Sequence, residues 1–170
     1  MILKVLSKIL GIVPLEERKG IWLEGWPRWK VQPVRDVSRF LQASAGLVPC
    51  DSVLYLEGGN VPQRVRTYLE ERTAEKTCKV EMGTIWPRPS QFHMAATQDN
   101  LLGLAELAEH CAAPEIAVHL HIYADERVML EWYDAFGGYP LYISGKVSEQ
   151  KVQAFCHELE TVYEQETKGA

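Results

Sequence analysis

The sequence lacks long hydrophobic runs, paired cysteines and clustered basic residues. No run approaches the ~18 consecutive apolar residues of a membrane helix, so no transmembrane segment is predicted. The four cysteines are dispersed without a CxxC pair, which favours a soluble protein of the reducing cytoplasm over a disulfide-bonded secreted one. The 18 Lys and Arg residues are outnumbered by 23 Asp and Glu residues and form no basic patch, which argues against nucleic acid as a partner.

Common catalytic and nucleotide-binding motifs are also missing. Gly58, Gly59 and Asn60 precede an expected helix, but this turn lacks the Lys and Ser/Thr of a P-loop and the GxGxxG pattern of a dinucleotide fold. The turn could hold a small anion at the helix N-terminus, although a tight turn alone accounts for its glycines. No serine lies in a GxSxG setting, so nucleophilic catalysis has no support.

The composition predicts a single domain. The 170 residues are 46% hydrophobic and 24% charged, with a formal net charge of -5, and no repeat or linker divides residues 1–170. Residues 1–13 predict an appended amphipathic helix with Lys4 and Lys8 opposite its apolar stripe. These lysines interrupt the apolar run along the sequence, which argues against a signal peptide. Residues 165–170 are polar and are expected to form a frayed tail.

Hydrophobic periodicity predicts strands and helices that alternate before residue 115. A strand followed by a helix and another strand is typical of crossover connections, which favour some parallel pairing. We therefore expect an α/β fold of α+β character, with a mixed sheet of about five to seven strands and helices packed on it. The predicted strands cover residues 51–57, 78–86 and 91–95, and the predicted helices cover residues 34–45, 62–72 and 97–110.

The C-terminal third predicts a three-stranded antiparallel meander followed by a helix. Residues 115–123, 127–134 and 139–143 alternate between apolar and polar side chains, with turn residues between them. Ser148 is a suitable N-cap for the closing helix, whose buried stripe is expected to extend to Tyr163.

The register of the meander can be predicted by matching its apolar residues, because a slip of one residue would turn every side chain to the other face. His119 is expected opposite Glu131, His121 opposite Met129, and Glu131 opposite Tyr142. One face of the meander is then apolar. The other face carries His119, His121, Tyr123, Glu131, Tyr133 and Tyr142.

The histidines of this second face support one chemical hypothesis. His119 and His121 project from the same face, so two imidazoles can reach one metal ion. Glu131 would be a third ligand or a general base, and His93 on another strand would be a fourth ligand. The alternative function is therefore a metal-dependent hydrolase that holds Zn or another divalent cation.

The leading interpretation is a non-enzymatic protein-binding or regulatory domain that needs no cofactor. A face rich in tyrosine can lie under a helix or at an interface, where cross-strand pairs stabilise a sheet without chemistry. Trp22, Trp26 and Trp29 fall within eight residues, and aromatic side chains are favoured at recognition surfaces. These tryptophans either cap the core or, with the three tyrosines of the second face, contact a protein partner or a second copy of the chain.

Overall fold

The computed structural model describes residues 22–84 and 86–167, so the predicted helix at residues 1–13 lies outside the described part. The described residues form seven strands and five helices. The strands are β1 Arg28–Val31, β2 Val53–Gly58, β3 Ser90–Ala95, β4 His119–Ala124, β5 Arg127–Trp132, β6 Leu141–Ser144 and β7 Tyr163–Glu166. The helices are α1 Val37–Leu47, α2 Gln63–Glu71, α3 Gln98–Ala108, α4 Ala113–Ile116 and α5 Glu149–Glu158.

The strands form one sheet in the order β3-β2-β4-β5-β6-β1-β7, which confirms the expected sheet with helices packed on it. Every pairing in this sheet is antiparallel, so the expected parallel pairing is not found. The chain does cross over from β3 to β4 through α3, and these two strands run in the same direction. However, β2 lies between them and pairs antiparallel with both.

All the long helices cover the same face of the sheet. Buried side chains from α1, α2, α3 and α5 form one hydrophobic cluster with alternate side chains of the strands. Phe40 of α1 lies near the centre of this cluster, with its ring centroid 5.1 Å from that of Trp132 and 6.0 Å from that of Phe155. Among the described residues no helix is long and apolar enough to cross a membrane.

The predicted meander is confirmed, but the pairing of its first two strands is different. Leu120 lies opposite Trp132 and His121 opposite Glu131, so the expected pairs of His119 with Glu131 and of His121 with Met129 are wrong. The turn explains the difference. Ala124 pairs with Arg127, which leaves a two-residue turn, and the register then shifts between Ile122 and Tyr123.

The register shift is a bulge that restores the sidedness of the meander. Ile122 pairs with Leu130 while Tyr123 pairs with Val128, so Met129 is the extra residue on β5. With this short turn and no bulge, the polar side chains of β4 would have paired with the apolar side chains of β5. With the bulge, His121 and Glu131 share a face as expected, and Glu131 lies opposite Tyr142 as predicted.

The chain reverses after α5 instead of extending the helix to Tyr163. Glu160 has a positive φ of 53° just beyond the end of α5, and the following residues form β7 on the outer edge of β1. Gln165 and Glu166 pair with Trp29 and Arg28, so they do not belong to a frayed tail. The expected strand at residues 78–86 is also absent from the described residues there, which run irregularly.

Two helix glycines allow a matched test of this packing. A Cβ atom at Gly46 of α1 meets nothing within 4 Å, whereas one at Gly103 of α3 would lie 2.2 Å from the Tyr68 hydroxyl. Gly46→Ala should raise the free energy of unfolding by about 0.5–1 kcal/mol. Gly103→Ala should lower it, because Tyr68 must leave its hydrogen bond to the Asn100 carbonyl. Urea denaturation measures both changes, and a shift of the same sign in both variants would contradict this packing.

Candidate functional site

The face of the sheet opposite the long helices carries a continuous row of polar side chains, here called the polar face. His93, Tyr55, His121, Glu131 and Tyr142 occupy paired positions on β3, β2, β4, β5 and β6. A second row next to it contains Gln91, Glu57 and His119. The row continues through Lys30 of β1 to Glu164 of β7, so the polar face extends over all seven strands, four more than the meander from which it was predicted.

Two irregular segments, residues 22–27 and residues 74–84 with 86–89, cover this face and are held to it by backbone N–H groups. The Leu23 N–H donates to Glu131 Oε2 at 2.7 Å, and the Cys78 N–H donates to the Tyr123 hydroxyl at 3.0 Å. Val80 is buried in a small cluster with Val53 and Tyr55. The cover is thus irregular chain tied to buried polar side chains.

Glu57 is the strongest of these anchors. Its side chain is fully buried and accepts three hydrogen bonds, from the Tyr55 hydroxyl at 2.8 Å, the Gly83 N–H at 3.0 Å and the Thr84 N–H at 3.1 Å. A buried carboxylate requires such donors, because its desolvation is otherwise costly. Burial, followed by the hydrogen bond to Glu57, raises the pKa of Tyr55, so this hydroxyl stays a donor.

His121 lies at the centre of the polar face. Its ring is fully buried, and neither ring nitrogen has a hydrogen-bond partner within residues 22–84 and 86–167. The ring centroids of Tyr55 and Tyr133 lie 5.7 Å and 4.9 Å away in edge-on contacts. Burial, with a smaller contribution from the charge of His119, lowers the pKa of His121 to about 3. The ring is therefore neutral at physiological pH.

The other two histidines have distinct local partners. His119 Nδ1 accepts a hydrogen bond from the Asp134 N–H at 2.9 Å, which places the proton of the neutral ring on Nε2. His93 Nδ1 lies 3.0 Å from the Tyr123 hydroxyl. That hydroxyl also accepts from the Cys78 N–H, and burial lowers the pKa of His93.

The three histidines and Glu131 are close in the sheet but do not form a ligand set. Within residues 22–84 and 86–167, no group of three or more His, Cys, Asp or Glu side chains could hold a metal ion. Nδ1 of His119 and Nδ1 of His93 are already occupied by hydrogen bonds. The residues of the metal hypothesis thus share a face without converging on one point.

A cleft of about 800 Å³ opens over the His119 end of the polar face, between the two covering segments. His119, Glu131 and Tyr133 line its floor, and the ring centroids of His119 and Tyr133 are 5.4 Å apart. Gly83 lies against the His119 ring, because a Cβ atom there would be 2.6 Å from His119 Cδ2. We call this cavity the acidic cleft, since Glu24, Glu81, Glu131 and Asp134 line it and none of its described lining residues is a Lys or Arg.

The carboxylates of the acidic cleft act on one another. Burial is the main cause that raises the pKa of Glu131. The Leu23 N–H and the charge of Arg28 oppose this increase, whereas the negative charges of Glu24 and Glu81 add to it. The electrostatic potential at the Glu131 carboxylate therefore includes negative contributions from both walls of the cleft.

Trp22, His119, Glu131 and Tyr133 are the predicted site residues that line the acidic cleft. Trp86 and Met82 also line it, although the sequence had assigned their segment to a strand. The only available signal for these two residues was the PRPS sequence that follows Trp86, since proline favours an irregular connection.

The remaining predicted residues lie elsewhere. Trp29 is buried on the helix side and donates its indole N–H to the Val147 carbonyl. Trp26 is exposed and lines a second cavity. Tyr142 lies beneath the Arg28 guanidinium, 3.9 Å from its centre. Gly58 ends β2, where a Cβ atom would collide with Val61, and it leads to the exposed Gly59 and Asn60 before α2.

Comparisons of this chain with protein-family models, with curated proteins and with solved structures found no match. Function must therefore be argued from the geometry and chemistry of the site.

Replacement of His121 tests its buried, neutral state. The unfolded chain binds a proton at this histidine near pH 6.5, whereas the folded chain does so only near pH 3. Stability should therefore fall as the pH falls through this window, by about 3 kcal/mol between pH 7 and pH 4. In His121→Leu this pH-dependent loss of stability should disappear, as measured by urea denaturation at each pH. His157→Gln, which changes an exposed helix residue, is the control and should show the same loss of stability as the parent chain. An unchanged pH dependence in His121→Leu would refute the burial of this ring.

Glu57→Gln tests the anchor of the second covering segment. The amide oxygen can replace Oε1 and still accept from Tyr55 and Gly83, but the amide nitrogen then meets the Thr84 N–H, which is also a donor. We expect a loss of about 1–3 kcal/mol in the free energy of unfolding. Hydrogen exchange should accelerate at the Thr84 amide more than at the Gly83 amide.

The control for this variant is Glu164→Gln, which removes a surface ion pair with Lys30. It should change the free energy of unfolding by less than about 1 kcal/mol. Equal protection of the Thr84 amide in the parent chain and in Glu57→Gln would show that Glu57 does not hold this segment.

Proposed function

We propose that this chain is a non-enzymatic protein-binding domain whose acidic cleft receives a basic side chain of a partner protein. The observation that carries the proposal is the lining of the cleft, where four carboxylate residues and three aromatic residues surround one opening without a described Lys or Arg. A guanidinium or ammonium group is the ligand that both kinds of side chain favour.

The electrostatics of the floor support a cationic ligand. Glu24 and Glu81 raise the pKa of Glu131 because their charges disfavour a further negative charge there. The same potential stabilises a positive charge placed near the Glu131 carboxylate. Thr84 also lines the cleft, and its hydroxyl oxygen is buried without a partner among the described residues.

The rim of the cleft favours a protein chain over a small amine. Trp86 is 86% exposed and Met82 is 41% exposed, and both line the opening. A small cation on the floor would leave these large apolar side chains in water. A partner segment that crosses the opening would cover them, and Trp and Met are enriched where proteins meet.

No specific observation favours the metal-dependent hydrolase that the sequence also suggested. His121 is neutral and buried beneath the cover, and only His119 and Glu131 of the proposed ligands line the cleft. The metal hypothesis, self-association and a cytoplasmic location remain predictions from the sequence.

A peptide titration tests the proposed function. The probe is the pentapeptide acetyl-Gly-Gly-Arg-Gly-Gly-amide, followed through the NMR signals of the Gly83 and Thr84 amides and the Trp86 indole. We expect these signals to move saturably, whereas the matched peptide with a central Glu should leave them unchanged. Ethylguanidinium should bind at least about fivefold more weakly, because it lacks contacts with the rim.

Two variants locate the interaction. Trp86→Ala and Glu131→Gln should each weaken peptide binding by about fivefold to twentyfold, the range expected for loss of a cation–π contact or a charge-assisted hydrogen bond. Trp26→Ala is the matched control, since Trp26 is an exposed tryptophan that does not line this cleft. Equal effects of Trp86→Ala and Trp26→Ala would refute the assignment, and equal binding of ethylguanidinium would refute a protein partner.

The affinity should also depend on pH in a defined direction. The raised pKa of Glu131 means that this carboxyl becomes protonated at a higher pH than an ordinary Glu. Protonation removes the negative charge that attracts the guanidinium, so the affinity should fall as the pH falls through the pKa of Glu131. In Glu131→Gln this dependence should be weaker, as measured by the same titration between pH 7 and pH 4.

A further inference from the structure

A second cavity of about 990 Å³ lies on the other side of the segment 22–27, and its charge is opposite to that of the acidic cleft. Lys79, Arg127 and Lys146 line it, against a single carboxylate from Glu126. None of the three cations forms an ion pair within the part of the chain that the structure describes. We call this cavity the basic groove.

The basic groove has an apolar floor and an aromatic wall. Val128 is 4% exposed at the floor; it lies on this face of the sheet because the bulge at Met129 places it opposite Tyr123. Trp26 is 62% exposed and lines the groove, together with Leu23 and Pro27. A cationic rim over an apolar, aromatic interior is complementary to an organic anion that carries an aromatic ring.

The end of the groove is fixed by a close backbone contact. The Gly145 N–H donates to the Pro27 carbonyl at 2.8 Å, and a Cβ atom at Gly145 would lie 2.6 Å from that oxygen. The hydrogen bond from Leu23 to Glu131 fixes the other end of the same segment. The wall that carries Trp26 is therefore held at two points, so the groove exists before any ligand enters.

We propose that the basic groove binds a small organic anion with an aromatic ring, with the ring against Trp26 and Val128 and the anionic group near Arg127 and Lys146. The volume lies within the usual range of small-molecule sites, roughly 300–1,000 Å³. This site lies on the other side of the segment 22–27 from the acidic cleft, with Trp22 lining both cavities, and its proposed ligand is distinct from the proposed partner protein.

A pair of fluorescent probes tests the site. The anionic probe is 8-anilinonaphthalene-1-sulfonate, and the matched uncharged probe is N-phenyl-1-naphthylamine, which has the same ring system without the sulfonate. We expect the anion to bind at one site per chain, at least about fivefold more tightly than the uncharged probe, and to shift the amide NMR signals of Val128 and Lys146. Binding at several sites, or equal affinity for the two probes, would overturn the proposal.

Variants at exposed positions separate the groove from the cleft. Trp26→Ala and the double variant Arg127→Gln with Lys146→Gln should each weaken the anionic probe by fivefold or more, and the double variant should leave the uncharged probe unchanged. Trp86→Ala, in the acidic cleft, should leave both probes unchanged. If Trp86→Ala abolished binding of the anionic probe while Trp26→Ala preserved it, the assignment of the probe to the basic groove would be overturned. Failure of the arginine peptide would refute the acidic cleft alone.

Discussion

The burial of the Glu57 carboxylate is the constraint on which the rest of the polar face depends. A carboxylate removed from water must accept hydrogen bonds, and two of the three that Glu57 accepts come from the backbone of Gly83 and Thr84. Those bonds hold the second covering segment over the sheet. Because that segment is irregular, it leaves the opening in which Met82 and Trp86 line the acidic cleft.

The sheet has one helical layer, and this arrangement determines how each of its faces is stabilised. The helix side is a continuous apolar core around residues such as Phe40 and Trp132. The opposite side is polar, and it buries His121 without a partner for either nitrogen in the described part of the chain. Burial of an unsatisfied polar group lowers stability, so the hydrogen bonds that fix both covering segments must offset this cost.

The sequence predicted which residues share a face more successfully than which residues pair. Apolar alternation was sufficient to place His119, His121 and Glu131 together, because sidedness depends only on the period of two. The pairing depended on a two-residue turn and a bulge at Met129 that partly compensate each other. Neither has a distinctive residue in this sequence, since the turn uses Asp125 in a left-handed conformation where glycine or asparagine would have been recognisable.

The candidate site was only partly predictable for a related reason. Glu57 is the last residue but one of β2, and its role depends on backbone donors about 26 residues further along the chain, a contact that local periodicity does not contain. Trp86 was assigned to a strand because its neighbours are β-prone, although it lies in the irregular cover. Once these residues are placed, the segment 22–27 separates two cavities of opposite charge. Because one backbone hydrogen bond from Leu23 holds that segment to the acidic floor, the shape of the basic groove also depends on Glu131.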